Sequence, residues 1–166
     1  MQMPAQKPGT SRQDYATPAA FIEAVERRFG QLDWDLAAHA ENSKCGPRFF
    51  GQGSTHNEDS LAVPWSSVLS TGKLWLNPPF ARIEPWAKKC AEESTKRLGL
   101  ILMLTPASVG ANWFQEHVLG KAFVLALSPR LSFDGVAPFP KDCSLAVYGY
   151  GLHGFDTWRW DEVAGA

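Results

Sequence analysis

The sequence predicts an α/β fold: a mostly parallel sheet with an antiparallel edge and helices on both faces. Three observations carry that expectation. Short apolar segments alternate with segments whose apolar residues recur at helical spacing, the pattern of units that build parallel sheets. Residues 100–104, Leu-Ile-Leu-Met-Leu, are apolar without interruption, as in a strand buried on both faces. Residues 130–150 hold two strand-like stretches around a Pro-Phe-Pro turn with no helix between them, which fits an antiparallel edge.

The elements follow in order. Residues 1–13 lack periodicity and read as a flexible arm in which Lys7 and Arg12 are solvated. Thr17 then suits a helix N-cap and Pro18 the first helical position. Phe21, Ile22, Val25 and Phe29 recur at helical spacing and Gly30 stops the run, so residues 18–29 form an amphipathic helix. Thr17 and Tyr15 either cap and pack, or belong to a helix start that offers N–H groups to a carboxylate. Leu32-Asp33-Trp34-Asp35-Leu36 reads as the first strand. It ends in an acid and runs into Ala37, Ala38 and Ala40, as strands do where α/β proteins place a ligand at the carboxyl edge of the sheet. No Gly-x-Gly-x-x-Gly fingerprint follows this strand. Residues 46–60 form a loop with room for a short strand at Arg48-Phe49-Phe50. Asp59 in that loop is equally a ligand-binding acid and a turn acid.

Leu74-Trp75-Leu76 is a short apolar strand that stops at Asn77-Pro78-Pro79-Phe80. Proline lacks an N–H and fixes φ, so the pair ends the ladder and stiffens the turn. The residue before a proline is pushed to extended geometry, which holds Asn77 at the strand tip. A plain strand stop needs no more than this, but the arrangement also has a chemical use. The exocyclic amine of adenine is a poor nucleophile because its lone pair is spread into the ring. The Asn77 side-chain carbonyl and the Pro78 backbone carbonyl can each accept one amine hydrogen. Two such bonds favour a pyramidal nitrogen with its lone pair free to attack a methyl group. Phe80 can stack on the base, as aromatics do on flipped bases. A tuned general base is not needed, because the proton can leave after transfer.

Residues 84–97 read as a helix with Ile83, Trp86, Ala87 and Cys90 on its apolar face. Lys88, Lys89, Glu92, Glu93 and Lys96 read as its solvated face, and Gly99 as its end. Residues 112–119 are a short helix, residues 122–127 a strand, and residues 130–133 an arm of a β-hairpin. Residues 144–150 are the last strand, and residues 151–166 irregular cover or an interaction surface.

A length of 166 residues suits one domain with one core. The net charge of −1 and pI near 6.4 lack the basic excess usual in nucleic-acid binders, so DNA is a partner only if the basic residues cluster on one face. Cys45, Cys90 and Cys143 are too few and too scattered for a disulfide framework or a zinc motif. His39, Cys45 and His56 read as unrelated side chains, and no metal site is expected. Residues 1–11 have no apolar core for a signal peptide, and the longest apolar run, residues 98–104, is too short for a membrane span. A soluble, intracellular protein is expected.

Taken together, the motifs are ordered as in a known family. The chain resembles the phage-type, Dam-like DNA N6-adenine methyltransferases over roughly residues 14–147. The matching pieces are Tyr15-x-Thr17-Pro18, Trp34-Asp35-Leu36-Ala37 with Asn42 and Cys45, Leu61 with Trp65, and Trp75-x-Asn77-Pro78-Pro79-Phe80. Pro106-Ala107, Trp113-Phe114, Arg130-Leu131-x-Phe133 and Ala137-Pro138-Phe139-Pro140 follow. The Asn-Pro-Pro-Phe, Arg-Leu-x-Phe and Ala-Pro-Phe-Pro pieces are the specific ones. Two positions depart from the family pattern: Asp-Leu-Ala-Ala stands where Asp-Pro-Cys-Ala is common, and Ser60 stands in place of a glycine.

The resemblance implies a Rossmann-like methyltransferase domain over residues 14–150, with residues 151–166 packed on it or extending it. It implies S-adenosyl-L-methionine as donor and adenine in double-stranded DNA as acceptor. Asn77, Pro78, Pro79 and Phe80 would be catalytic. Tyr15, Thr17, Pro18, Asp35, Ala37, Asn42 and Asp59 would line the donor pocket. The chain lacks room for a separate target-recognition domain, so sequence reading would fall to loop 46–60, turn 81–84 or arm 130–141. Arg82, Arg130, Phe133 and Lys141 are the expected DNA contacts. Such a protein would be phage or prophage encoded, would act in the cytoplasm of a bacterial host, and would be a monomer or homodimer. The same site logic also serves methyl transfer to RNA or to a protein glutamine, and a catalytically silent binding module could keep the fold.

Overall fold

The computed structural model describes residues 16–133 and 137–163. Six strands form one mixed sheet: β1 (Trp34–Asp35), β2 (Leu74–Leu76), β3 (Ile101–Pro106), β4 (Phe123–Ser128), β5 (Cys143–Tyr148) and β6 (Gly154–Arg159). Their order across the sheet is β1-β2-β3-β5-β4-β6. β1, β2 and β3 pair in parallel, as do β4 and β6, while β5 runs antiparallel to both its neighbours.

The antiparallel strand is therefore not at the edge, as the sequence led us to expect, but inside the sheet. The physical reason is burial. All six β5 positions are buried, and both of its edges are hydrogen-bonded, so it needs cover on every side. The edge goes to β6, where five of six positions are exposed. That strand also corrects the reading of residues 151–166 as irregular cover: residues 154–159 continue the sheet. An exposed strand needs no apolar alternation, so this one left no periodic signal. Arm residues 130–133 form no ladder and are not a hairpin. They belong to a loop closed by Phe139 N–H on Leu131 O at 2.6 Å and Ser132 Oγ–H on Ala137 O at 2.8 Å. The short strand expected at residues 48–50 is reduced to one parallel bridge, Asp35 with Phe49.

Side-chain alternation splits the core into two layers. Leu74, Leu76, Ile101, Met103, Val124, Ala146 and Tyr148 face one side. There they pack on Ile83, Ala87 and Cys90 of the α3 region (α3, Glu84–Glu93) and on Phe114 and Val118 at α4 (Asn112–His117). Trp75, Leu102, Leu104, Leu125, Leu145 and Val147 face the other and bury Phe21, Ile22 and Val25 of α1 (Ala19–Phe29). Each such large side chain withdrawn from water contributes about 1.5–3 kcal/mol before entropy is counted. Helices thus cover both faces. A further short helix, α2 (Trp65–Val68), follows a 3₁₀ turn at Ser60–Ala62.

Two local readings change. Pro18 is the N-cap of α1, and its carbonyl accepts from Phe21 and Ile22; Thr17 makes no capping bond, because its hydroxyl is used elsewhere. The expected solvated face of α3 is only partly solvated. Glu93 is buried and accepts from Ser66 N–H at 3.0 Å, and Lys89 Nζ donates to Leu61 O and Val63 O at 2.8 and 2.6 Å. Lys89 also lies over the Trp65 ring, 5.2 Å from its centroid. Buried Arg97 donates to Leu69 O, Thr71 O, Gly72 O and Leu100 O, tying the α2–β2 connection to the start of β3. Gly72 and Gly99 meet beneath it so closely that a Cβ on Gly99 would lie 1.7 Å from Gly72 O.

Candidate active site

The parallel pairing of β1 and β2 brings their carboxyl ends together. Asp35 is level with Trp75, and Leu36 N–H donates to Trp75 O at 2.8 Å. Past that point the chains diverge, β1 into the turn around residue 40 and β2 into Asn77-Pro78-Pro79. A cavity of about 340 Å³ opens where they part. That lies within the range of sites that hold small molecules, roughly 300–1,000 Å³.

The sequence-predicted residues largely converge there. Thr17, Asp35, Ala37, Asn42, Asp59, Asn77, Pro78 and Pro79 all line the cavity. They come from segments as far apart as residues 17 and 79, so only the fold gathers them. Pro18 is half-buried at the start of α1 and is not part of the wall. Tyr15 lies outside the described residues. Sequence reasoning missed Lys44, Phe50, Glu58 and Trp86 as wall residues. Trp86 had a signal, since it is the large aromatic on the α3 side nearest the Pro-Pro turn, but its helical spacing read as core. Phe50 and Glu58 sit in a loop with no periodicity to place them.

Asn77 and Thr17 form the best-defined polar pair. The Asn77 amide nitrogen donates to Thr17 Oγ1 at 3.0 Å, and Thr17 is buried. A side-chain amide has a nitrogen end and an oxygen end. Fixing the nitrogen on Thr17 therefore sets the direction of the carbonyl oxygen. Pro78, buried behind it, and exposed Pro79 hold the backbone of the turn.

Asp35 is 2% exposed. Its carboxylate accepts from Lys44 N–H at 2.9 Å and from Ala37 N–H at 3.3 Å. Burial raises its pKa to about 6, against the opposing pull of those two N–H groups and of the Lys44 charge. Asn42 shapes the turn beside it: its side-chain oxygen accepts from His39 N–H at 2.8 Å, and its own N–H donates to His39 O. Asp59 serves as a turn acid and also lines the cavity. Its carboxylate caps the 3₁₀ turn by accepting from Leu61 N–H at 3.2 Å while facing the cavity.

Phe80 is not among the wall residues of the cavity. Its ring meets Phe133 and Phe139 at centroid distances of 5.9 and 5.8 Å, and those two meet each other at 5.3 Å. Phe133 and Phe139 are thereby attached to the end of the Asn77-Pro78-Pro79 turn. Arg82 and Lys141 are exposed, and Arg130 is paired with Asp142 at 2.8 Å. The three cysteines are buried and free; burial pushes the Cys45 and Cys143 thiols up to about 12. Among the described residues, no three His, Cys, Asp or Glu side chains stand together as metal ligands, and no helix is long and apolar enough to cross a membrane.

Residues 5–144 match the sequence profile of the family described as DNA N-6-adenine-methyltransferase (Dam). The chain belongs to the Dam family. The match runs through every wall residue of the cavity, from Ala16 to Trp86, and stops before β6. A relative, the DNA N-6-adenine-methyltransferase of Escherichia phage T1, is 31% identical over 127 residues. That alignment covers 76% of this chain and 50% of the phage protein, so the chain spans about half the length of its relative.

Proposed function

We propose that this Dam-family chain transfers a methyl group from S-adenosyl-L-methionine to the exocyclic N6 of adenine in double-stranded DNA. One observation carries the reading: the Asn77-Pro78-Pro79 end of β2 and the buried Asp35 end of β1 open into the same cavity. The donor carries a sulfonium and an ammonium group. The carboxylates of Asp35, Glu58 and Asp59 suit such a cation, and Phe50 and Trp86 suit its adenine ring. When bound, the donor supplies an electrophilic methyl group and departs as a neutral thioether. The sheet, with β5 reversed inside strands that otherwise share one direction, supports a Rossmann-like methyltransferase class.

In this reading the chain's own groups act as follows. Asn77 Oδ1 and Pro78 O accept the two hydrogens of the target amine, and Thr17 holds Asn77 in the orientation that presents Oδ1. The nitrogen lone pair forms the new N–C bond, and the amine loses its surplus proton afterwards to solvent. Phe80, backed by Phe133 and Phe139, supplies the aromatic surface beside the base. Thr17, Asp35, Ala37, Asn42 and Asp59 hold the donor. Arg82 and Lys141 meet phosphate, and Arg130 does so when it exchanges Asp142 for DNA. The reading places the protein in the cytoplasm of a bacterial host, encoded by a phage or prophage.

The test is methyl transfer from labelled donor to duplex DNA, RNA and protein in parallel. N6-methyladenine in DNA, absent in Asn77→Ala, is the expected result. Label in RNA or in a protein glutamine, with DNA unlabelled, would overturn the substrate, and a chain that binds no donor would overturn the enzyme reading altogether.

A further inference from the structure

β6 is the outermost strand of the sheet, six residues long, and it pairs with β4 on one side only among the described residues. Trp160 N–H turns inward to Ser128 O, so by alternation the backbone groups of Phe155, Thr157 and Arg159 point away from β4. A row of outward N–H and C=O groups is a template for another strand. Four of the seven large apolar side chains exposed among the described residues, Tyr150, Leu152, Phe155 and Val163, lie on β6 or its flanks. The apolar surface and the open edge coincide.

We propose that β6 is a homodimer edge, on which a second copy of this chain pairs antiparallel with Thr157 opposite Thr157. A two-fold axis perpendicular to the sheet can pass through any residue of the strand, but centring on Asp156 sets two carboxylates against each other and centring on Trp158 puts Phe155 opposite Asp161, outside the strand. Centring on Arg159 sets two guanidinium groups against each other, and centring on Phe155 leaves Arg159 outside the ladder. Centring on Thr157 engages all three outward residues. It places Phe155 opposite the second copy's Arg159 twice, an aromatic–cation pair, with a Thr–Thr pair between. No like charges face each other. The edge is therefore complementary to itself in both hydrogen bonds and charge.

The isolated edge carries its own competitor. Thr157 N–H donates to the Asp156 carboxylate at 2.8 Å, which occupies the central donor until a second strand replaces it. Arg159 likewise meets Glu162 at 3.0 Å, an exposed pair that gives way readily. The candidate active site lies at the opposite edge, beside β1 and β2. The two-fold axis reverses strand direction, so the two cavities of the dimer would open on opposite sides of the joined sheet. Each would engage a different stretch of DNA.

Light scattering on the full chain across a concentration series tests this. The expected mass approaches twice 18.3 kDa as concentration rises. Phe155→Arg, which sets arginine opposite Arg159, should weaken the dimer roughly tenfold or more. Thr157→Pro should abolish it, since only an outward N–H is lost and the β4 ladder is untouched. Asp156→Ala should strengthen it by freeing that N–H. Far-ultraviolet circular dichroism confirms that each variant is folded. A wild-type chain that stays at 18.3 kDa throughout, or a dimer that survives both Phe155→Arg and Thr157→Pro in folded protein, would overturn the proposal.

Discussion

At Asn77 one side-chain amide is divided between two tasks. Its nitrogen is held by Thr17 and its oxygen serves the chemistry we propose. Thr17→Val keeps the shape of the pocket but removes the acceptor, so the carbonyl loses its fixed direction. A net hydrogen bond worth about 1–1.5 kcal/mol, lost in the transition state, should lower kcat about tenfold. Thr17→Ser should restore most of it. Steady-state kinetics checks both; equal rates in Thr17→Val would remove Thr17 as a positioning residue. Asp35 gives a pH signature. Its carboxyl titrates near pH 6, and the ionised form attracts a cationic donor. Donor affinity should therefore fall as pH drops below about 6, and calorimetry should find that dependence flattened in Asp35→Asn. The stability effect has the opposite sign. The pKa is raised on folding from 3.8 to about 6, so the native state binds the proton more tightly than the unfolded chain does. Stability present below pH 4 is then lost as pH rises through about 6, by roughly 3 kcal/mol.

At the scale of elements, the wall of the cavity around Asp59 and Ser60 is held from behind by α3. Glu93 accepts from Ser66 N–H, Lys89 donates to Leu61 O and Val63 O, and Trp65 Nε1 donates to Ser60 O at 3.0 Å. Glu93→Ala leaves a buried N–H without its acceptor and should cost about 1–3 kcal/mol in denaturant unfolding, with weaker donor binding as the wall loosens. This support was not legible in the sequence. Charged residues at helical spacing look solvated, and nothing local says that two of them turn inward to a loop more than twenty residues away. What was legible followed from local physics: α1 from its apolar spacing, β2 from its proline stop, β3 from its unbroken apolar run. The cavity residues Thr17, Asp35, Asn42 and Asp59 were singled out through the order of family motifs. Their convergence on one cavity depends on strand pairing, which no local pattern encodes. β6 and the internal place of β5 were hidden for the same reason: an exposed strand has no alternation, and a buried one does not name its neighbours.

For the whole molecule, a net charge of −1 means that attraction to DNA must come from local clustering. The exposed cations near the Phe80 cluster are the place to look. Arg82→Ala should weaken duplex binding across sequences and reduce the slope of log affinity against log salt by about one. An unchanged slope would move the DNA path elsewhere on the surface. The open β6 edge lies at the far end of the sheet from the cavity.

The most direct measurement of the central claim is N6-methyladenine in duplex DNA after incubation with labelled S-adenosyl-L-methionine, read beside donor binding in the wild type and in Asn77→Ala. The account predicts methylated adenine in the wild type, none in the variant, and nearly equal donor affinity in both. A variant that methylates at near wild-type rate, or a wild type that binds the donor yet leaves adenine unmodified, would contradict it.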